Sequence, residues 1–154
     1  MTTTNTITIA PVRKSLRVNA GQAHAFEVFT SGLDRWWPRK ASPMQVSVLE
    51  PRLNGRWYQL GEDGSRADVG KILVWEPPHR FVMSWDINSQ GKPDGGVSSE
   101  VEVRFLPDGE NATRVELEHR KFEQMGEEAG AKMRNDVDGG WPALLERFKH
   151  AAEA

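Results

Sequence analysis

From residue 44 to residue 120 the chain alternates apolar and polar positions with a period of two. Phe81, Met83, Trp85 and Ile87 stand on one face against Val82, Ser84 and Asp86; Val101, Val103 and Phe105 oppose Glu100, Glu102 and Arg104; Val115, Leu117 and His119 oppose Glu116, Glu118 and Arg120. Side chains alternate across a strand, so each such segment offers one dry and one wet face. Six strands are predicted, over 44–50, 55–60, 68–75, 80–87, 98–106 and 113–120. In the third of these, Ile72, Leu73, Val74 and Trp75 are all apolar, and its facing stays open. The joints carry turn residues: 51–55, Glu62-Asp63-Gly64, Pro77-Pro78, 92–96 and Pro107-Asp108-Gly109. Joints this short make an antiparallel meander, because a parallel pair needs a crossover of a dozen residues or more.

Beyond residue 133 the period lengthens. Met133, Val137, Trp141, Leu144, Leu145 and Phe148 recur at helical spacing, with Arg134, Asn135, Asp136, Asp138, Glu146, Arg147 and Lys149 on the other side. A helix over 133–152 is predicted, about 30 Å long at 1.5 Å per residue. Gly139, Gly140 and Pro142 interrupt it, and the proline removes the bond to the carbonyl of Asp138. A kink is expected there, or a fresh start capped by Asp138.

Ahead of the meander, Ile7, Ile9, Leu16 and Val18 mark a first strand, placed at an edge or bulged by Pro11. Residues 1–5 are polar and expected to be loose. Asn19 is the expected cap of a helix over 20–30 that buries Ala23, Phe26, Val28 and Phe29 and ends at Gly32. A single helical turn over 33–38, closed by Pro38, brings Trp36 and Trp37 together. One strand, two short helices, six strands and a long helix define an α+β domain of seven antiparallel strands. The sheet has one face to bury and the last helix one stripe, so they bury each other, and the twist of the sheet curls it around the helix as a grip.

The 154 residues form one domain on this reading, large enough for a core without staples. The absence of cysteine excludes disulfides and thiol chemistry and fits a reducing cytoplasm. No basic start precedes an apolar run, and the longest apolar run, 72–75, has four residues, so neither a leader nor a membrane span is expected. Net charge is −2 with both signs scattered, which gives no broad footprint for nucleic acid or membrane. The four histidines, His24, His79, His119 and His150, lie far apart, and no metal or cofactor motif is present.

Several fragments resemble a known family in their order and spacing. They are Asn54-Gly55-Arg56-Trp57; Gly70 through Trp75 with Glu76-Pro77-Pro78-His79-Arg80-Phe81-Val82-Met83-Ser84-Trp85; Glu118-His119-Arg120; and Gly140-Trp141 ahead of Leu144-Leu145. Together they resemble the START-like (SRPBCC) superfamily, and within it the activator of heat-shock protein 90 ATPase homologue-like proteins, over about residues 10–152. The resemblance implies a helix-grip (START-like, Bet v-like) fold around a cavity for a small apolar ligand. Where that family often has two glycines before Arg-Trp, this chain has Asn54 before Gly55, and Asn tolerates the left-handed turn nearly as well. The superfamily includes lipid and polyketide binders, cyclases and chaperone co-factors, so the fold does not fix the function.

Facing decides which residues line the expected cavity. Trp57, Gln59, Met83, Trp85, Val101, Val103, Phe105 and His119 come from the strands, Trp141 and Leu145 from the helix, and Trp36 and Trp37 close one end. The tryptophans also have a plain reading as core packing, most directly Trp75 and Trp141, and Gln59 has one as a hydrogen-bonded core residue. His119 is the one ionisable group on the dry face: a hydrogen-bonded core residue, a polar contact for a ligand, or an acid or base. Its expected hydrogen-bonding neighbours are Gln59, Ser99 and Trp57, with Glu116 and Glu118 on the far face. Arg35, Arg39 and Lys40 beside the tryptophan pair read as a solvated face or as a mouth for an anionic ligand head. The expected function is binding of a small hydrophobic or amphipathic molecule without a fixed catalytic constellation. The alternatives are a cyclase or hydrolase using the same cavity, and a chaperone co-factor acting by protein contact. No nucleic acid, membrane, metal or cofactor partner is expected, and the chain is read as a monomer or homodimer.

Overall fold

The computed structural model describes residues 8–38, 44–88, 90, 92, 94 and 96–154, with the backbone alone at Met44 and Gln45. The expected loose segment 1–5, Ile7, Arg39 and Lys40 lie outside the described residues. The elements are β1 (Val12–Val18), α1 (Gln22–Phe29), the 3-10 turn η1 (Leu33–Arg35), β2 (Met44–Leu49), β3 (Arg56–Gly61), β4 (Arg66–Glu76), β5 (Arg80–Trp85), β6 (Ser99–Pro107), β7 (Thr113–Arg120), a second 3-10 turn η2 (Phe122–Met125), and α2 (Glu127–Glu153). Seven antiparallel strands in the order β1-β7-β6-β5-β4-β3-β2 curl into a half-barrel around α2. The first strand closes onto the last, with Val12 opposite His119 and Val18 opposite Thr113.

The open question in β4 is resolved by a register shift. Ile72 pairs with Met83, but Val74 pairs with Val82 and Trp75 with Phe81. The extra residue between them reverses the facing, so Ile72 and Trp75 both turn toward the core although they are three apart. The opposite face of β5 is also drier than alternation implies: Val82 and Ser84 are buried together with Phe81, Met83 and Trp85. The turn before β3 needs both of its residues. Asn54 has φ 63°, the left-handed conformation, and a Cβ on Gly55 would lie 2.2 Å from the carbonyl oxygen of Glu50.

Two details of α1 differ from expectation. The helix starts at Gln22 after Gly21 with no side-chain cap, because the Asn19 N–H donates to Glu153 at 2.7 Å and its side-chain oxygen accepts from Arg17. Ala25 rather than Ala23 is buried beside Phe26, Val28 and Phe29. Phe26 meets Trp75 and Phe105 edge-to-face at 5.1 Å each, and Phe29 meets Phe148 at 4.8 Å with tilted rings, so α1 plugs one end of the grip with aromatic contacts.

Helix α2 is longer than predicted and begins at Glu127. It runs unbroken through Gly139, Gly140 and Pro142, and Asp138 forms an ion pair with Lys14 at 2.8 Å instead of capping a new start. Burial on both sides of the weak segment, at Val137, Trp141 and Leu145, holds the helix together where propensity would end it. The buried stripe is Gly130, Met133, Val137, Trp141, Leu145, Phe148 and Ala152, with Leu144 half-buried at its flank.

Candidate functional site: a tryptophan cluster between sheet and helix

Trp37 follows η1, Trp57 sits on β3, Trp85 ends β5 and Trp141 occupies the middle of α2, and their rings converge. Centroid separations are 5.3 Å for Trp37–Trp57, 5.2 Å for Trp57–Trp85, 5.6 Å for Trp85–Trp141 and 6.3 Å for Trp37–Trp141. Gly70, paired with Trp57 in the ladder, makes room for it: a Cβ there would lie 3.2 Å from the indole and 2.1 Å from the carbonyl oxygen of Ser84.

His119 lies behind Trp85 and Trp141, fully buried, with Phe122 at 4.7 Å on its other side. An indole N–H only donates, so the 3.1 Å bond from Trp141 Nε1 fixes His119 Nδ1 as an acceptor. The proton therefore sits on Nε2, which donates to Ser99 Oγ at 2.7 Å. Burial pushes the pKa of His119 from the ordinary 6.5 down to about 3. The ring is neutral with both nitrogens engaged. No carboxylate is among its hydrogen-bond partners; Glu118 bonds to Arg13 and Arg120 instead.

The indole nitrogens of the cluster are not treated alike. Trp141 Nε1 has His119, and Trp36 Nε1 donates to the Val28 carbonyl at 2.9 Å. Trp57 Nε1 and Trp85 Nε1 are buried with no acceptor among the described residues. Leaving a buried donor unmade costs about 1–3 kcal/mol, so two such donors on neighbouring rings are not packing economy.

A cavity of about 220 Å³ opens against this cluster, walled by Trp85, Ile87 and Asn88 from the end of β5 and by Met133, Asp136, Val137, Gly140, Trp141 and Leu144 from α2. A second hollow, about 520 Å³, lies outside the other half of α2, against Trp36, Arg35, Arg147 and His150. Of the twelve residues predicted to line an internal cavity, Trp85 and Trp141 border the first opening and Trp36 the second. Trp37, Trp57 and His119 join the tryptophan cluster. Met83, Val101, Val103, Phe105 and Leu145 are packed into the core, each at most 4 % exposed, and Gln59 is buried on β3 two residues from Trp57. Of the α2 wall only Trp141 was among the predicted lining residues; Met133, Asp136, Val137, Gly140 and Leu144 were not, although the spacing of three, one, three, one and three from Met133 to Leu144 is legible as one helix flank. Among the described residues no cluster of three or more His, Cys, Asp or Glu suits a metal ion, and no helix is long and apolar enough to cross a membrane.

A curled antiparallel sheet closed by a long C-terminal helix, with aromatic side chains gathered between them, is the helix-grip architecture of START-like (SRPBCC) proteins. The chain belongs to the family of activator of Hsp90 ATPase homolog 1-like proteins, whose model matches residues 19–153. Among solved structures it is similar to Txn09, an anthrahydroquino-gamma-pyrone synthase, with 39% identity, 93% of this chain and 97% of that one covered, and a TM-score of 0.65. It is also similar to CalC, a self-sacrificing resistance protein from Micromonospora echinospora, with 33% identity, coverage of 92% and 93%, and a TM-score of 0.68. CalU16 from the same organism shares the fold at 24% identity, coverage of 94% and 76%, and a TM-score of 0.65. No curated protein matches the chain.

Proposed function

We propose that this protein binds a planar, oxygen-bearing aromatic small molecule of the polyketide type, held between the end of β5 and α2 against the tryptophan cluster. The observation that carries this reading is the pair of buried indole N–H groups on Trp57 and Trp85, which have no acceptor among the described residues and lie on neighbouring rings. A ligand carbonyl or phenol oxygen brought between the rings accepts from them, and its aromatic face stacks on indole. The cavity beside Trp85 is smaller than the roughly 300–1,000 Å³ of usual ligand sites, so it takes one end of such a molecule while Trp85 shifts to admit the rest.

The second reading is an enzyme of the cyclase kind, favoured by the 39% identity to a synthase over nearly the whole chain. In that reading the chain supplies shape and indole donors that polarise a carbonyl, since both His119 nitrogens are occupied and the ring stays neutral. Chaperone contact, implied by the family name, is a third outcome that a pull-down separates.

Titration with 1,8-dihydroxyanthraquinone, followed by tryptophan emission, tests the binding reading. Saturable quenching at micromolar concentrations is expected. Trp85→Leu is expected to weaken it at least about tenfold while lowering stability by less than the equivalent 1.4 kcal/mol. Absence of a saturable response across a panel of anthraquinones and naphthoquinones removes the reading. Conversion of such a ligand by the protein alone moves the assignment to the enzyme.

A further inference from the structure

Six residues of α2 wall the cavity: Met133, Asp136, Val137, Gly140, Trp141 and Leu144. They follow one another at three, one, three, one and three residues, one continuous flank of the helix. Five of them present a side chain, and Gly140, in the middle of the series, presents none. A helix interior pays roughly 1 kcal/mol for glycine against alanine. Where that cost has a packing cause, it is visible in the same helix: a Cβ on Gly130 would lie 2.3 Å from the carbonyl oxygen of Phe122. At Gly140 a Cβ would meet nothing within 4 Å. Close packing therefore does not account for this glycine, and neither does a turn, since α2 continues through it. What the missing side chain leaves is space in the cavity.

We infer that Gly140 is the size-determining residue of the ligand site: the gap it leaves in the α2 wall sets how large a ring system the cavity accepts. The inference rests on the binding reading above and adds to it which position selects by size. Gly139 is the internal control, because it is equally unobstructed but is solvent-exposed and not part of the cavity wall.

The test compares Gly140→Ala, Gly140→Leu and Gly139→Leu with the unaltered chain, titrating each with 1-naphthol and 1,8-dihydroxyanthraquinone and melting each in urea. The unaltered chain is expected to bind both probes. Gly140→Ala is expected to keep 1-naphthol and lose affinity for the larger probe; Gly140→Leu is expected to weaken the larger probe at least about tenfold. Gly139→Leu should change neither by more than about twofold. All three should melt at or above the urea midpoint of the unaltered chain, because each replaces glycine by a better helix former. If the unaltered chain binds and Gly140→Leu binds both probes equally well, the size-determining role is wrong while the binding reading stands. Equal losses in Gly139→Leu and Gly140→Leu also overturn it, since the effect then belongs to the helix and not to the cavity. If the unaltered chain binds neither probe, both readings fall together.

Discussion

His119 shows how one residue can be read correctly for place and incompletely for role. Alternation along β7 puts it on the dry face, and the structure buries it fully. Of the ring's two partners, Ser99 on β6 was within reach of the alternation, whereas Trp141 comes from α2, twenty-two residues further on, and no strand pattern points to it. The three expected neighbours included Ser99, but Gln59 and Trp57 are not its hydrogen-bond partners. The consequence is a measurable pH dependence. The unfolded chain takes up the His119 proton near pH 6.5 and the folded one only near 3, so protons favour unfolding between these values. The stabilisation is fully present above about pH 6.5 and is lost as pH falls. The carboxylates held low by hydrogen bonds, Glu102 and Glu118 among them, act only below their ordinary 4.5. Urea unfolding is therefore expected to show a loss of about 1–2 kcal/mol between roughly pH 7 and pH 5. In His119→Gln that slope should flatten, although the variant is less stable overall. An unchanged slope would mean that the ring is hydrated in the folded protein.

At the scale of the elements, periodicity located all seven strands and both α-helices, because each has one face to bury and the period follows from that. It failed where an element departs from its own period. The bulge in β4 breaks the alternation, so no single parity fits Ile72 and Trp75. The glycines and proline of α2 read as a break, yet tertiary burial overrides propensity and carries the helix through. Leu145 measures that burial: it is 4 % exposed, inside the stripe beyond the weak segment. Leu145→Ala is expected to cost about 2–5 kcal/mol, as large-to-small changes in a core do. A loss below about half a kcal/mol in urea melts would mean that the stripe is not what holds the helix.

Across the whole molecule, the sheet separates two chemistries. Its concave side carries aromatic rings, while its convex side carries an ionic lattice that ties β5, β6 and β7 together through Glu102. This carboxylate, 7 % exposed, takes Arg80 and Arg104 at 3.0 Å each and Arg120 at 2.5 Å. Burial alone would raise its pKa, but the hydrogen bonds from Arg104 and Arg120 and the charge of Arg104 outweigh this and hold it at about 2. The wet face was legible in the sequence as alternating charge, but the focus of three arginines on one glutamate was not. It depends on the ladder, which sets Val82 and Glu118 opposite Glu102 in the adjacent strands. Glu102→Gln keeps the size and removes the charge that three guanidinium groups share. The arginines remain partly exposed and hydrated, which limits the cost to about 1–3 kcal/mol, and added salt should reduce it by screening their repulsion. Because Glu102 faces away from the tryptophans, 1,8-dihydroxyanthraquinone should bind this variant within about twofold of the unaltered chain under conditions where both are folded. Trp85→Leu is expected to do the reverse, losing affinity more than stability. If Glu102→Gln weakens binding as much as Trp85→Leu does, the two faces are coupled through the sheet and the ligand site extends beyond the concave side.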